Sequence, residues 1–423
     1  MYTQLPANHW WRQAKFGMFI HWGLYAQLGG VWNGTAVRGN SEWIQYRLGI
    51  PSQDYAALAG QFNPEDFNAD AWVQVAKDAG MQYIVITAKH HDGFAMFRSA
   101  DPYNIVDATP FGRDPMEELA EACRRHGIRL CFYYSHVLDW HDPDAFEDDI
   151  PLSELDRVQE KNQAFRAYLE RKVKPQLSEL LCHYGPVGMI WFDMPGCVDK
   201  TYCQEIRDHV KSLQPDCLIS GRIGYGLGDF ITVGDNKIPQ LPCDIPWEMP
   251  GTINDTWGFK RGDRDWKSSS SLIRRLIKIV SRGGNYLLNV GPDARGRIPD
   301  ESIRILHEMG EHLRRNSAAF YGTEAAPLYP YDMSEDGLFT YSPGKLYYHS
   351  LKFHEKLSLS CIKKPIRRVT LLSSGRELPF IVSYSEATQS HDLVIDFPDA
   401  CEPLPVFCIE IEGNIPEFEN IFI

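Results

Sequence analysis

Short apolar runs alternate with longer amphipathic stretches over the first three-quarters of the chain. The near-continuous apolar runs predict buried parallel strands, at residues 16–24, 83–89, 129–135, 188–193, 217–223 and 286–290. The amphipathic stretches between them predict helices, at residues 68–80, 115–127, 152–184, 271–281 and 299–316. This repeated strand-then-helix order predicts an α/β fold, a (β/α)8-type, TIM-like barrel.

The pattern changes from about residue 330 onward. Short strand-like segments separated by turns lie at residues 338–341, 345–351, 367–372, 381–384, 392–397 and 406–412. Such a succession without a long helical pattern is typical of an antiparallel β-sandwich. We therefore expect two domains, a barrel over residues 1–330 and a C-terminal sandwich over residues 331–423.

Composition and charge narrow the range of partners. The chain has 43 Lys and Arg against 56 Asp and Glu, a formal charge of −13, which disfavours nucleic acid and anionic membranes as partners. It shows no membrane-length apolar run and no basic segment followed by an apolar one at its start, so we expect a cytoplasmic protein. The oligomeric state stays open between a monomer and a homo-oligomer.

One carboxylate stands out by its position. Asp193 ends the apolar run 188–193, directly after Trp191 and Phe192. The C-terminal ends of barrel strands form the face where catalytic groups of such folds lie. A carboxylate there, beside an aromatic wall, suits covalent chemistry on a sugar. The alternative is an ordinary strand-ending aspartate that caps the next helix or turn.

Polar and aromatic side chains also lie near the C-terminal ends of the other predicted strands or in the loops after them. They are His21, Glu42, Trp43, His90, His91, Tyr134, Arg222, Asp235, Glu248 and Trp257. Neutral histidine, arginine and glutamate can bind sugar hydroxyls, and tryptophan can cover a ring face or a methyl group. Together these strand ends predict a carbohydrate site.

Seven segments resemble the signature segments of the α-L-fucosidases of glycoside hydrolase family 29. They read FGMFIHWG, SEWI, KHHDGFAMF, YYSHVLDW, WFDM, NDTWGF and GGNYLLNVGP, and they occur in the family's order. The resemblance covers roughly residues 10 to 325. The resemblance implies exo-hydrolysis of terminal α-L-fucose with retention, by double displacement, from fucosylated oligosaccharides or glycosides. It implies Asp193 as the nucleophile, and neither a cofactor nor a metal.

The same resemblance implies roles for the other residues. The hydroxyl-binding set would be His21, Glu42, Trp43, His90 and His91. Tyr134 and Trp191 would frame the sugar, and the cation of Arg222 would keep the nucleophile ionised. Trp257 would contact the C5 methyl group that distinguishes fucose from galactose.

The second carboxyl group departs from the family's pattern. Many relatives have a glutamate in a Thr-Pro-Glu loop before Ile-Pro, whereas residues 232–239 read TVGDNKIP, with one residue inserted. Counting back from Ile238-Pro239 assigns the acid/base role to Asp235. Glu248, expected in a loop that also faces the site, is the alternative, and we prefer Asp235.

Two other functions are compatible with these residues. His90-His91-Asp92 with nearby acids could form the centre of a metal-dependent barrel hydrolase. Adjacent residues on a strand point to opposite faces, so they chelate one ion poorly unless the strand bends there. A non-catalytic carbohydrate-binding barrel is the other alternative, and it predicts sugar binding without turnover.

Overall fold

Eight parallel strands form the centre of the molecule. The computed structural model describes residues 5–148, 150–151, 153–240, 243, 245–326, 335–352, 355–397 and 403–416. The strands are β1 (Phe16–Ile20), β2 (Tyr83–Lys89), β3 (Arg129–Ser135), β4 (Met189–Asp193), β5 (Leu218–Ile219), β6 (Ile231–Thr232), β7 (Trp247–Thr252) and β8 (Asn285–Val290). Their hydrogen-bonded order is β5-β4-β3-β2-β1-β8-β7-β6. This is the strand order of a (β/α)8 barrel, and the predicted fold class is confirmed.

The barrel has a seam between β5 and β6, which share no ladder in the described sheet. Asp229 connects the two sides of the seam. Its backbone N–H donates to the carbonyl of Ile219 over 2.8 Å, and its Oδ2 accepts from the N–H of Ile219 over 2.9 Å. The loop before β6 therefore closes the barrel through a few short contacts.

Longer helices cover the outer face of the sheet. They are Ala69–Asp78, Pro115–His126, Leu155–Tyr168, Lys174–His183, Lys200–Leu213, Ser269–Val280 and Asp300–Asn316, with a π-helical turn at Leu169–Val173. Shorter α-helices lie at Trp10–Ala14, Tyr25–Leu28, Ile44–Arg47 and Ser52–Ala56, and 3-10 turns at Ser41–Trp43, Ala57–Gln61, Gly221–Ile223 and Ser317–Ala319. None of the described helices is long and apolar enough to span a bilayer.

Local sequence explains where the helix after β2 begins and ends. Asp114 Oδ1 accepts the N–H of Met116 over 2.9 Å, and Pro115 takes the first helical position, where its missing N–H costs nothing. Gly127 ends the helix with a φ of 73°, which a glycine adopts without strain. The sequence therefore directs the chain straight into β3.

Side chains of the strands alternate between two cores. Along β2, Ile84 and Ile86 point outward into the core shared with the helices, whereas Tyr83 and Val85 point into the barrel. The barrel interior is strongly aromatic, with Phe19, Tyr83, Tyr133, Trp191 and Trp257 in one cluster. This inner cluster forms the floor below the C-terminal ends of the strands.

The C-terminal part contains the predicted antiparallel sandwich. A six-stranded sheet joins Glu324–Ala325, Gly337–Ser342, Lys345–Ser350, Val406–Ile411, Ile366–Leu371 and Arg376–Glu377. A three-stranded sheet joins Lys356–Ile362, Ser390–Asp396 and Phe380–Ser385. Leu346 and Ile409 of the first sheet share a core with Leu359 and Leu393 of the second. Residues 330 and 331, the expected domain boundary, lie outside the described residues.

The structure also differs from several predicted elements. Strands β6 and β7 are absent from the prediction, because β6 has two residues and β7 contains Pro250 and Gly251, which strands disfavour. The predicted strand 217–223 is a strand only at Leu218–Ile219, followed by the turn Gly221–Ile223. The predicted strand 16–24 ends at residue 20.

Candidate active site

A cavity of about 210 Å³ opens at the C-terminal ends of the barrel strands. Nine of the predicted residues line it: His21, Glu42, Trp43, His90, Trp191, Asp193, Arg222, Asp235 and Trp257. Five lining residues are new: Phe19, Asn40, Arg47, Tyr133 and Met194. The cavity is small for a ligand pocket and suits one sugar ring better than an extended chain.

Asp193 lies at the base of this pocket as the last residue of β4, with 9% of its surface exposed. Its Oδ1 accepts from Arg222 Nη1 over 2.9 Å, and its Oδ2 accepts from the hydroxyl of Tyr133 over 2.9 Å. Burial alone would raise the pKa of this carboxyl group. The charge of Arg222 and the hydrogen bonds from Arg222 and Tyr133 outweigh burial and hold the pKa of Asp193 below its ordinary value.

Arg222 links the two aspartates of the pocket. Its other terminal nitrogen, Nη2, donates to Asp235 Oδ1, and its guanidinium lies 5.0 Å from the centre of the Trp191 ring. The side chain of Asp235 is 44% exposed, against 12% for that of Asp193. One carboxylate is therefore enclosed and the other is open to solvent, on either side of one cation.

The structure corrects the assignment of Tyr134. Its hydroxyl donates to Gln176 Oε1 over 2.8 Å, and its ring belongs to the core between the sheet and the helices. Tyr133 faces the pocket instead, stacked on Trp191 with ring centroids 5.6 Å apart. Successive residues of a strand point to opposite faces, so only one of these two tyrosines can face the barrel interior. Tyr133 is paired with Trp191 across β3 and β4, and the two residues share a face.

The structure also corrects the position of Glu248, which was expected in a loop facing the site. It is the second residue of β7, its side chain points into the barrel, and none of its surface is exposed. Its Oε2 accepts from the hydroxyl of Tyr83 over 2.6 Å, and its Oε1 accepts from Trp191 Nε1 over 2.9 Å. Burial raises the pKa of Glu248 to about 7 despite these hydrogen bonds. It lies below the aromatic floor of the pocket.

Three histidines lie at the ends of β1 and β2. His21 Nδ1 is 2.7 Å from Asn289 Oδ1, and His91 Nδ1 is 2.7 Å from Ser135 Oγ. Burial lowers the pKa of His21 to about 4, and burial also lowers the pKa values of His90 and His91 well below the ordinary value. All three are therefore neutral near pH 7, each able to donate and to accept a hydrogen bond.

His21 and His90 line the pocket, whereas His91 lies behind it. The Nε2 of His91 is 3.8 Å from Asp193 Oδ2. The ladder between β2 and β3 shifts register between Thr87 and Lys89, so the chain bends just before the histidine pair. In the described residues, no three His, Cys, Asp or Glu side chains are grouped so that they could hold a metal ion.

Glu42 and Trp257 belong to one connected wall. Glu42 is buried, and its Oε2 accepts the N–H of Gly258 over 2.9 Å. Burial raises the pKa of Glu42 to about 7. Asn289, which the prediction missed as a site residue, donates through Nδ2 to the carbonyl of Trp257 over 2.7 Å while its Oδ1 contacts His21. Asn289 on β8 therefore connects His21 to the backbone of Trp257 across the pocket wall.

A buried charge network supports the loop that carries the histidine pair. Lys89 Nζ and Lys172 Nζ lie 3.2 and 2.9 Å from Asp139 Oδ2, and Lys172 also donates to the carbonyl of Gly93 over 3.1 Å. Gly93 has a φ of 75°, and a Cβ there would overlap the Asp139 carboxylate. Only glycine fits this position, so the network fixes the path of the chain behind His91.

Comparisons with known proteins agree with this geometry. The family model described as α-L-fucosidase matches residues 2–318. The human plasma α-L-fucosidase is 31% identical over 342 residues, which cover 76% of this chain and 70% of the human protein.

Two solved structures are similar over large parts of the chain. An α-L-fucosidase from Vibrio sp. strain EJY3 has a TM-score of 0.88 and 35% identity, over 96% of this chain and 73% of the Vibrio chain. An α-L-fucosidase from Lactobacillus casei, in complex with its α-L-fucose product, has a TM-score of 0.66 and 42% identity, over 73% of this chain and 99% of its own. The chain described here belongs to the α-L-fucosidase family of glycoside hydrolases.

Proposed function

We propose that the chain hydrolyses terminal α-L-fucosides with retention of configuration, with Asp193 as the nucleophile and Asp235 as the acid/base. The observation that carries this assignment is the enclosed Asp193 carboxylate, which accepts hydrogen bonds from Arg222 and Tyr133. Both contacts favour the ionised form, the form that attacks an anomeric carbon.

Two displacement steps follow from this arrangement. In the first, an oxygen of Asp193 bonds to C1 of fucose, the glycosidic C–O bond breaks, and Asp235 gives its proton to the departing oxygen. In the second, Asp235 takes a proton from water, the water oxygen bonds to C1, and the bond from C1 to Asp193 breaks. The exposed side chain of Asp235 supports its role, because the aglycone and water must both reach it.

The pocket walls support fucose as the sugar. His21 is neutral near pH 7 and donates through Nδ1 to Asn289 Oδ1, so its Nε2 can accept a hydrogen bond from a ring hydroxyl. Neutral His90 can donate one hydrogen bond and accept another. Trp257 and Phe19, with ring centroids 5.8 Å apart, offer an apolar surface to the C5 methyl group. An additional hydroxyl at that position would lose hydration without a partner, at about 1–3 kcal/mol.

Azide rescue with analysis of the product tests both assignments. On an aryl α-L-fucoside, Asp193→Gly should lose turnover by several orders of magnitude, and azide should restore it as β-fucosyl azide, because a single displacement inverts the anomeric carbon. Asp235→Ala should form the fucosyl-enzyme from a good leaving group, and azide should then give α-fucosyl azide by a second displacement.

The matched control is Asp208→Ala, which removes an exposed aspartate from the helix Lys200–Leu213 on the outer face. It should keep wild-type turnover. Near wild-type hydrolysis by Asp193→Gly would refute the nucleophile assignment. Azide products with the opposite anomeric configurations would refute the assignment of the two roles.

A further inference from the structure

Chain segments that contact one another beside the pocket carry four cations, Arg38, Arg47, Lys260 and Arg261, called here the basic rim. Arg47 is the member that lines the cavity. The three arginines are exposed and Lys260 is half-buried. In the described part of the chain, none of the four has a carboxylate oxygen within 4.0 Å. Four unneutralised cations on one rim are unexpected in a chain whose formal charge is −13.

Backbone contacts fix this rim against the pocket. Arg47 lines the cavity, and its Nη1 donates to the carbonyl of Arg38 over 2.6 Å. Its guanidinium also lies 5.9 Å from the centre of the Trp43 ring, another lining residue. Lys260 Nζ donates to the carbonyl of Gly39 over 2.9 Å, next to the lining residue Asn40. The side chains of Arg47 and Lys260 are therefore held by backbone carbonyls beside the pocket.

Gly39 leaves the space that Arg47 occupies. It has a φ of 70°, and a Cβ at this position would lie 2.5 Å from Arg47 Nη1. A larger residue would displace the guanidinium from the wall. Glycine at position 39 therefore leaves room for the Arg47 guanidinium beside the carbonyl of Arg38.

Several acids on this end of the barrel are paired with other cations. Asp148 lies 3.5 Å from Arg157, and Asp142 lies 2.8 Å from Arg171, so both already have cationic partners. Asp193 and Asp235 share the guanidinium of Arg222. Glu42 is buried behind the rim; burial raises its pKa to about 7, and the charge of Arg47 acts on this pKa in the opposite direction. Arg47 therefore lines the cavity without an ion-pair partner among the described carboxylates.

Building on the proposed fucosidase function, we propose that the basic rim selects aglycones with a carboxylate or sulfate on the sugar next to fucose, and that Arg47 is the specificity-determining residue. The cavity has room for one ring, so the aglycone must leave through the mouth where Asp235 is exposed. Arg47 and Asn40 line that same cavity. A guanidinium presents parallel N–H donors that match the oxygens of either anion.

Internal competition between paired substrates tests this proposal. One pair is an α-L-fucoside of glucuronic acid and its uncharged carboxamide, and the other is a fucoside of glucose with and without a 6-sulfate. Wild type should favour the anion in kcat/KM by about three- to tenfold in at least one pair. The preference should shrink in about 1 M NaCl, where the Debye length is about 3 Å.

Substitutions connect the preference to the rim. Arg47→Met should bring the ratio of kcat/KM values close to one, and Arg47→Lys should keep part of the preference. The matched control is Arg124→Met, which removes an exposed arginine at the opposite end of the barrel, near the C-terminus of the helix Pro115–His126. It should leave the ratio at the wild-type value.

The outcomes of these experiments distinguish the proposed aglycone preference from the proposed fucosidase function. A preference for only the carboxylate or only the sulfate supports the proposal and identifies the group that is read. Equal kcat/KM values in both wild-type pairs, or a preference that survives Arg47→Met, would overturn it. Failure of wild type to hydrolyse an uncharged 4-nitrophenyl α-L-fucoside would instead refute the proposed function.

Discussion

Replacing Glu248 by glutamine tests whether this buried carboxyl group is the acid/base, a role that the sequence leaves open for it. Glu248 contacts two donors inside the barrel, the Tyr83 hydroxyl and Trp191 Nε1. In Glu248→Gln, Trp191 can still donate to the amide oxygen, and the Tyr83 hydroxyl can turn to accept from the amide nitrogen. Both hydrogen bonds are therefore retained while the ionisable group is lost.

The pKa of Glu248 sets the size and the sign of the effect on stability. Burial raises this pKa from 4.5 to about 7. Below pH 4.5 the group is protonated in both the folded and the unfolded state, so it costs nothing. Above about pH 7 it is ionised in both states, and the folded state then carries the cost of a buried charge. Each unit of difference between the folded and the unfolded pKa is worth about 1.4 kcal/mol, so this cost is about 3 kcal/mol. Wild type therefore loses stability between these two pH values.

Denaturant unfolding and turnover should be measured together from pH 4.5 to pH 8. Glu248→Gln should gain up to about 3 kcal/mol in unfolding free energy at the alkaline end and little at the acidic end. Its kcat on a fucoside with a poor leaving group should stay within about threefold of wild type. Glu121→Gln, at an exposed side chain, is the control and should show no pH-dependent gain.

Two results would refute this reasoning. A loss of about a hundredfold or more in kcat, rescued by azide, would make Glu248 the acid/base. A stability difference that does not change with pH would mean that the pKa of Glu248 is not raised in the folded protein.

Three further predictions test the corrected site. Tyr133→Phe removes a hydrogen bond to Asp193, the proposed nucleophile, and should lower kcat about tenfold or more. Tyr134→Phe should keep kcat and lose about 1 kcal/mol of stability. Equal effects on kcat would contradict the assignment of faces. Gly93→Ala should lower the unfolding free energy by about 2 kcal/mol or more, because its Cβ meets the Asp139 carboxylate at positive φ. A thermal midpoint like that of wild type would show that the loop can move. Asn289→Leu should raise KM for an aryl fucoside more than it lowers kcat, because it releases a histidine and a tryptophan of the pocket wall. An unchanged KM would show that other contacts hold this wall.

The residues that the sequence located correctly lie at the ends of strongly patterned strands. The run that ends at Asp193 is apolar and aromatic and is followed by a turn, so both the strand and its C-terminal end could be predicted. His21 and His90 follow two other strands of the same kind. Because parallel strands end at one face of a barrel, these residues could be expected to meet there without any knowledge of loop structure.

The errors come from features that the sequence pattern does not determine. Tyr133 and Tyr134 are adjacent aromatics on a strand buried on both faces, so hydrophobicity cannot tell which one faces the barrel interior. Side chains of a strand alternate in direction, so Trp191 must lie on the same face as Asp193. Which tyrosine of β3 shares that face depends on the register between β3 and β4, which pairs Tyr133 with Trp191. The sequence pattern predicts a loop at Glu248 because Pro250 and Gly251 are disfavoured in strands, although both residues lie in β7.

The structure divides the site into a part built by strands and a part built by loops. Trp191 is held from below by Glu248 and lies against the guanidinium of Arg222 above, so strand side chains fix the surface under the sugar. Asp235 and Arg47 come from the segment after β6 and from a short helix before β2, and both are exposed. Changes in the loops can therefore alter the preferred aglycone without disturbing the barrel interior. Substitutions that remove or displace an aromatic ring of the interior should affect the fucose pocket and the stability of the barrel together, unlike Glu248→Gln, which keeps the hydrogen bonds to Trp191 and Tyr83.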